Sequence, residues 1–163
     1  MKATVSATAI ALSLIACAAS AQAVRTEKNM SLDLANQIAA ATVASCSTSG
    51  YNVTAAVVDR SGSLRALQRA DNAGPHTVGA AQGKAFTSAS AKAPTTAMLE
   101  NVQKNPGAAT LVNIPGFLIL GGGVPIKVGN EVIGAVGVGG APGGHLDEAC
   151  ANAGIAKVAD LLK

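Results

Sequence analysis

The eight residues NVTAAVVD, positions 52–59, carry apolar side chains on both of their alternating faces. A strand of that composition belongs in the middle of a sheet with both faces covered, so the rest of the chain must supply strands at its edges and layers above and below it. RSGS, positions 60–63, then provides a turn, and LRALQR, positions 64–69, alternates. Arg65, Leu67 and Arg69 fall on one face and Leu64 and Ala66 on the other, the pattern of a hairpin whose second strand is partly exposed.

Helical periodicities supply the covering layers. Ser31 suits the N-cap of a helix running to about Ser47, in which Leu32, Ala35, Ile38, Thr42 and Cys46 recur every three or four residues and point coreward; Gly50 follows its end. A second helix starts near Pro75 and aligns Val78, Ala81, Ala85 and Ala89. Gly79, Gly83 and Lys84 inside it suggest a phosphate-binding loop, but only three residues separate the two glycines, and Ala85 stands where a magnesium-binding Ser or Thr is needed. Close packing against another element is the better account of glycines in a helix interior. Pro94 interrupts the pattern, and a short helix follows to about Lys104, ended by NPG.

The remaining half changes character. FLILGGG, VPIKV and EVIGAVGV read as three short strands, the last two joined by the hairpin signal Gly129-Asn130, and a final helix begins after GGAPGG with Leu146, Cys150 and Ala153 facing the core. Helix, two strands, two helices, three strands and helix make an α/β (α+β) fold, a mainly antiparallel sheet covered by helices. Glycines in the strands let neighbouring backbones approach closely.

Residues 1–23 place Lys2 before an apolar run that ends in Ala21-Gln22-Ala23, a secretory signal peptide cut after Ala23, leaving 24–163 as a single domain in the periplasm or outside the cell. The run is too short to span a bilayer comfortably, so no transmembrane anchor is expected in the mature form. Leu14-Ile15-Ala16-Cys17 also reads as a lipobox, which would leave a lipid anchor on Cys17. Without the leader, Cys46 and Cys150 are the two cysteines. They form a disulfide if their helices are neighbours in an oxidising compartment, or remain two buried free thiols.

Several chemistries are excluded. Basic residues are scattered and nearly balanced by acidic ones, twelve against nine, and Tyr51, Phe86 and Phe117 are the aromatics, so no stacking platform for nucleic acid is present. There is no close cluster of zinc ligands, no G-x-S-x-G elbow, and GAVGVGGAPGG matches neither the spacing nor the context of a dinucleotide fingerprint.

The motifs Val57 to Gly62, Arg69-x-Asp71, Lys84-Ala85-Phe86-Thr87, Pro94-Thr95, Gly122-Gly123-x-Pro125 and Gly134-Ala135-x-Gly137-Val138 together resemble the GlcG/HbpS family of haem-binding proteins, to which the C-terminal domain of PduO-type corrinoid adenosyltransferases is related. The resemblance implies a profilin-like domain with a five-stranded antiparallel sheet flanked by helices, assembly into homo-oligomers, and haem as cofactor. It also implies an association with haem degradation or redox sensing. The adenosyltransferase reaction belongs to another domain and is not carried over.

Haem iron takes His, Met, Cys or Tyr as axial ligand, with cations near the propionates. His76, in the loop before the second helix, and His145, at the start of the last, are the two histidines and the iron-ligand candidates; Arg65 and Arg69 are the propionate candidates. Each histidine also has an ordinary reading as a loop or helix-start residue. Met98, Tyr51 and Thr87 are further conceivable ligands, although Met98 suits core packing and Thr87 a bond to its own helix. No catalytic constellation is evident. The alternative function is a non-catalytic oligomeric sensor or accessory module that binds a small organic acid or a partner protein.

Overall fold

A computed structural model describes residues 23–163; the leader apart from Ala23, and with it Cys17, lies outside the described residues. The helices and strands are α1 (Leu32–Thr48), β1 (Thr54–Asp59), β2 (Leu64–Arg69), α2 (His76–Ala91), α3 (Thr95–Lys104), β3 (Gly123–Val128), β4 (Glu131–Gly139) and α4 (Gly144–Lys157), with a 3₁₀ segment at Pro106–Asn113. The strands pair antiparallel in the order β2-β1-β4-β3. As its composition requires, β1 is central and buried along its whole length, while β2 is an edge strand with Arg65 and Arg69 exposed.

The two faces of the sheet are covered differently. Val57, Val136 and Val138 pack with Ile38, Cys46 and Cys150 under α1 and α4, whereas Val58 and Ala135 meet Ala85 and Ala89 of α2. On the α2 side β4 presents Ala135, Gly137 and Gly139, and a Cβ added to Gly137 would stand 2.1 Å from the Ala81 carbonyl oxygen. The helix therefore rests directly on strand backbone. Gly154 of α4 plays the same part against Thr42 of α1, where an added Cβ would lie 2.0 Å from the hydroxyl oxygen.

That close crossing brings Cys46 and Cys150 into a disulfide with Cα atoms 5.2 Å apart, 104 residues apart in sequence. Closing so long a loop stabilises a fold by up to about 4–5 kcal/mol through the unfolded chain. Ser31 caps α1 by accepting from the Leu34 amide.

Four expectations need correction. The described sheet has four strands, not five, because FLILGGG forms no strand before Gly123. The Gly122 carbonyl still accepts from the Val138 amide, one bond beyond the β3–β4 pairing, but the residues before it are engaged elsewhere: the Leu118 amide donates to Thr87 Oγ1, and Gly121 is pressed against Gly144. Leu32 and Ala153 are exposed rather than coreward, since α1 and α4 bury only the stripes that face each other and the sheet. Gly79 has nothing within 4 Å of the position an added Cβ would take, so of the two α2 glycines only Gly83, against Leu118, is explained by packing. His76 is the first residue of α2, not part of the loop before it.

Candidate functional site

At the end of the sheet where β1 begins and β4 stops, the amino ends of α2 and α4 converge on a cleft of about 520 Å³. Its walls include Ala80 of α2, Leu99 of α3, Leu120 and the loop Gly139–Gly144, and both His76 and His145 border it. Clefts of this size and apolar character are the usual form of a small-molecule site.

Both imidazoles are placed by the same local device. The ring of His76 folds back over Gly74, where an added Cβ would stand 2.7 Å from Cε1, and the ring of His145 folds over Gly143, with the corresponding distance 2.8 Å. A side chain at either glycine would displace the ring. The turn before α2 is also held from the sheet: Arg69 donates from Nε to the Ala73 carbonyl at 2.9 Å and from Nη2 to the same oxygen, and Thr77 Oγ1 donates to the Gly74 carbonyl while sharing a hydrogen bond with Thr54 Oγ1 at 2.7 Å.

Beneath the histidines lies a buried ion pair. Lys84 Nζ donates to Asp147 Oδ2 at 2.7 Å and to the Val138 carbonyl at 2.8 Å, and Asp147 Oδ1 accepts from the Ala141 amide at 3.0 Å. One cation from α2 and one anion from α4 thus tie both helices and the end of β4 together. Burial is the largest influence on the Asp147 carboxyl and pushes its pKa above the ordinary value against the opposing pull of Lys84. Beside the pair, Thr96 donates to Glu148 and links α3 to α4.

The two histidine candidates are brought together and the two arginines are not. Neither Arg65 nor Arg69 lines the cleft; Arg69 braces the turn before His76, and Arg65 acts electrostatically on Asp59 at the other end of β2. Thr87 bonds the Gly83 carbonyl within its helix and accepts from Leu118, and Tyr51 borders a different groove. Met98 is half-buried on α3 and is not a lining residue. That other groove, about 750 Å³ between α1 and α4, is larger but holds neither histidine, so the chemistry favours the smaller cleft.

Sequence reasoning missed Lys84 and Asp147. A signal was available: Lys84 stands three residues beyond Ala81 and next to Ala85, inside the apolar stripe of α2. A lysine there demands a buried anion.

Comparison with known proteins agrees with this architecture. A family model described as haem degrading protein HbpS-like matches residues 30–156. Protein GlcG of Escherichia coli strain K12 is 36% identical over 114 residues, which are 70% of this chain and 84% of that protein. The crystal structure of a double mutant of Streptomyces reticuli HbpS superposes with a TM-score of 0.79 at 34% identity, covering 97% of this chain and 98% of the other. A further HbpS crystal structure gives 0.78 at 38% identity, over 83% and 94% of the two chains.

Proposed function

The chain belongs to the HbpS-like family, and on that premise we propose that it is an exported haem-binding protein whose haem is held in the histidine cleft. One observation carries the reading: both histidines, distant in sequence, reach one apolar-walled cleft from the first turns of two helices. Imidazole is a common axial ligand of haem iron, and Ala80, Leu99, Leu120 and Pro142 offer the nonpolar surface that a porphyrin face needs.

His76 or His145 would hold the iron. Haem, when bound, supplies one-electron and oxygen chemistry that no side chain of this cleft provides. Leu99 and Leu120 add nonpolar surface to the cleft wall, and the Lys84–Asp147 pair fixes the spacing of the two histidine-bearing helices. With Arg65 and Arg69 away from the lining, the amino end of α4, which has no side-chain cap, is the nearer attraction for a propionate.

The leader supports a periplasmic or secreted location, and the family resemblance supports a homo-oligomer. No helix among the described residues is long and apolar enough to cross a membrane.

Hemin titration of the purified protein tests the reading. A saturable Soret shift is expected, weakened in whichever of His76→Ala and His145→Ala removes the axial ligand. Spectra unchanged in both single variants and in the double variant would remove the histidine assignment. Mass spectrometry of ligands retained through native purification gives an independent check: a small carboxylate with no porphyrin would instead support the sensor or accessory-module reading.

A further inference from the structure

One wall of the histidine cleft belongs to a segment that the rest of the fold barely holds. Thr95 and Ile119 are buried, but no residue from 96 to 118 is, and this is the longest such stretch of the described chain. It contains α3 beyond Thr95 and the whole 3₁₀ segment Pro106–Asn113. A helix in a folded protein is held chiefly by the apolar face that it buries, and one of ten residues is too short to persist on its own hydrogen bonds.

The firm attachments lie at its two ends. Thr95 Oγ1 accepts from the Gly123 amide at 2.8 Å, and the Leu118 amide donates to Thr87 Oγ1 at 2.7 Å. Gly116, at φ +85°, turns the chain against the ring of Phe86, which also meets Phe117 edge-on with centroids 6.2 Å apart. Between these points the backbone bonds are local to the segment, and the one hydrogen bond to the remainder of the described chain runs from Thr96 to Glu148.

That bond and the wall share one face of the helix. Thr96 and Leu99, three residues apart on α3, both line the cleft, and Glu148 stands three residues beyond His145 on α4. A segment fixed at both ends, unburied between them and fastened by a single side chain opens at a small cost in free energy. Binding-site lids are drawn from segments of this kind.

We propose that residues 96–115 are a lid on the histidine cleft, pivoting at Thr95 and at Gly116–Leu118 and latched by Thr96 on Glu148, and that the ligand enters and leaves when the latch opens. The lid rests on the haem reading only for the identity of that ligand.

Two measurements on the mature protein test it. Nitroxide labels on Glu100→Cys and Asn152→Cys, both exposed, report the distance from α3 to α4 by pulsed electron resonance, with Cys46 and Cys150 paired and labelled chains diluted into unlabelled protein. A shorter and a longer distance should coexist without ligand. Hemin should shift the population to the shorter one, and Thr96→Val, or Glu148→Ala from the other side of the latch, to the longer. In stopped-flow hemin binding, either variant should raise the association and dissociation rates together by about tenfold, the effect of losing one hydrogen bond to a carboxylate, and leave Kd within about twofold. Thr96→Ser keeps the hydroxyl and should restore the parent rates. A single distance in every sample, unmoved by hemin and by both variants, overturns the lid whatever the ligand. A Kd raised through dissociation alone also overturns it, since Thr96 would then touch the ligand instead of holding a gate. If the parent takes up no hemin the haem reading fails, and the distances with and without the latch decide the lid by themselves.

Discussion

Two glycines that look alike in sequence should respond to alanine with opposite signs. At Gly137 the new Cβ would stand 2.1 Å from the Ala81 carbonyl oxygen and 2.5 Å from the Ala85 amide nitrogen, both backbone atoms of α2. Ordinary contact begins near 3.4 Å, so the helix would have to withdraw by more than 1 Å across a close-packed layer. Overpacking of this kind costs about 1–3 kcal/mol, and because backbone on both sides must move we expect about 3 kcal/mol or more for Gly137→Ala. Gly79 lies inside α2 and is exposed, with nothing within 4 Å of the position the methyl would take. Gly79→Ala should therefore stabilise by about 0.5–1 kcal/mol, the ordinary penalty for glycine within a helix. Urea unfolding monitored by circular dichroism separates the two through their midpoints at a shared slope. In thermal unfolding each kcal/mol corresponds to about 2–4 °C for a domain of this size. The Gly137→Ala variant should also bind hemin less tightly, since α2 carries His76 and Lys84. If Gly137→Ala unfolds within about 0.5 kcal/mol of the parent or is more stable than it, the direct seating of α2 on β4 is wrong; a destabilising Gly79→Ala would instead refute the open space at Gly79.

Lys84→Met leaves Asp147 buried with only the Ala141 amide as partner and should cost about 3–5 kcal/mol, most of it recovered in Lys84→Met/Asp147→Leu. Because burial raises the Asp147 pKa in the folded state, that carboxyl favours folding below its unfolded value, and the benefit is lost as pH rises through the folded value; unfolding midpoints of Lys84→Met should thus lie closer to the parent near pH 4 than near pH 8. Asp59 behaves in the opposite sense. Burial, the largest single influence, raises its pKa but is outweighed by hydrogen bonds from the Ser61 hydroxyl and the Ser63 and Ser61 amides and by the charge of Arg65, leaving the carboxyl below its ordinary value. Its contribution is present above the unfolded pKa and disappears as pH falls through the folded one, so Asp59→Asn should be less stable at neutral pH and show a flatter acid limb in a stability–pH series.

Local physical preferences were legible where one stretch of chain settled the outcome. NVTAAVVD had to be central because no solvent-facing register exists for it, Ser31 marked the start of α1, Gly129-Asn130 marked the hairpin, and the three- and four-residue spacing turned Cys46 and Cys150 inward. FLILGGG failed the same kind of reading. An apolar run has strand character by itself, but the Leu118 amide was taken by Thr87 and Gly121 was packed against Gly144, contacts that depend on the seating of α2 and α4. The candidate site followed the same division. Both histidines were visible as residues, yet their meeting on one cleft, the burial of Lys84 against Asp147 and the removal of Arg65 and Arg69 from the lining required the packed arrangement. The amino-acid sequence by itself determined which side chains sought the interior and where helices could begin. Tertiary structure alone decided which of them met, because periodicity records a direction relative to the local axis, whereas contact depends on how near two axes come, and here that distance is set by side chains absent at Gly137 and Gly154.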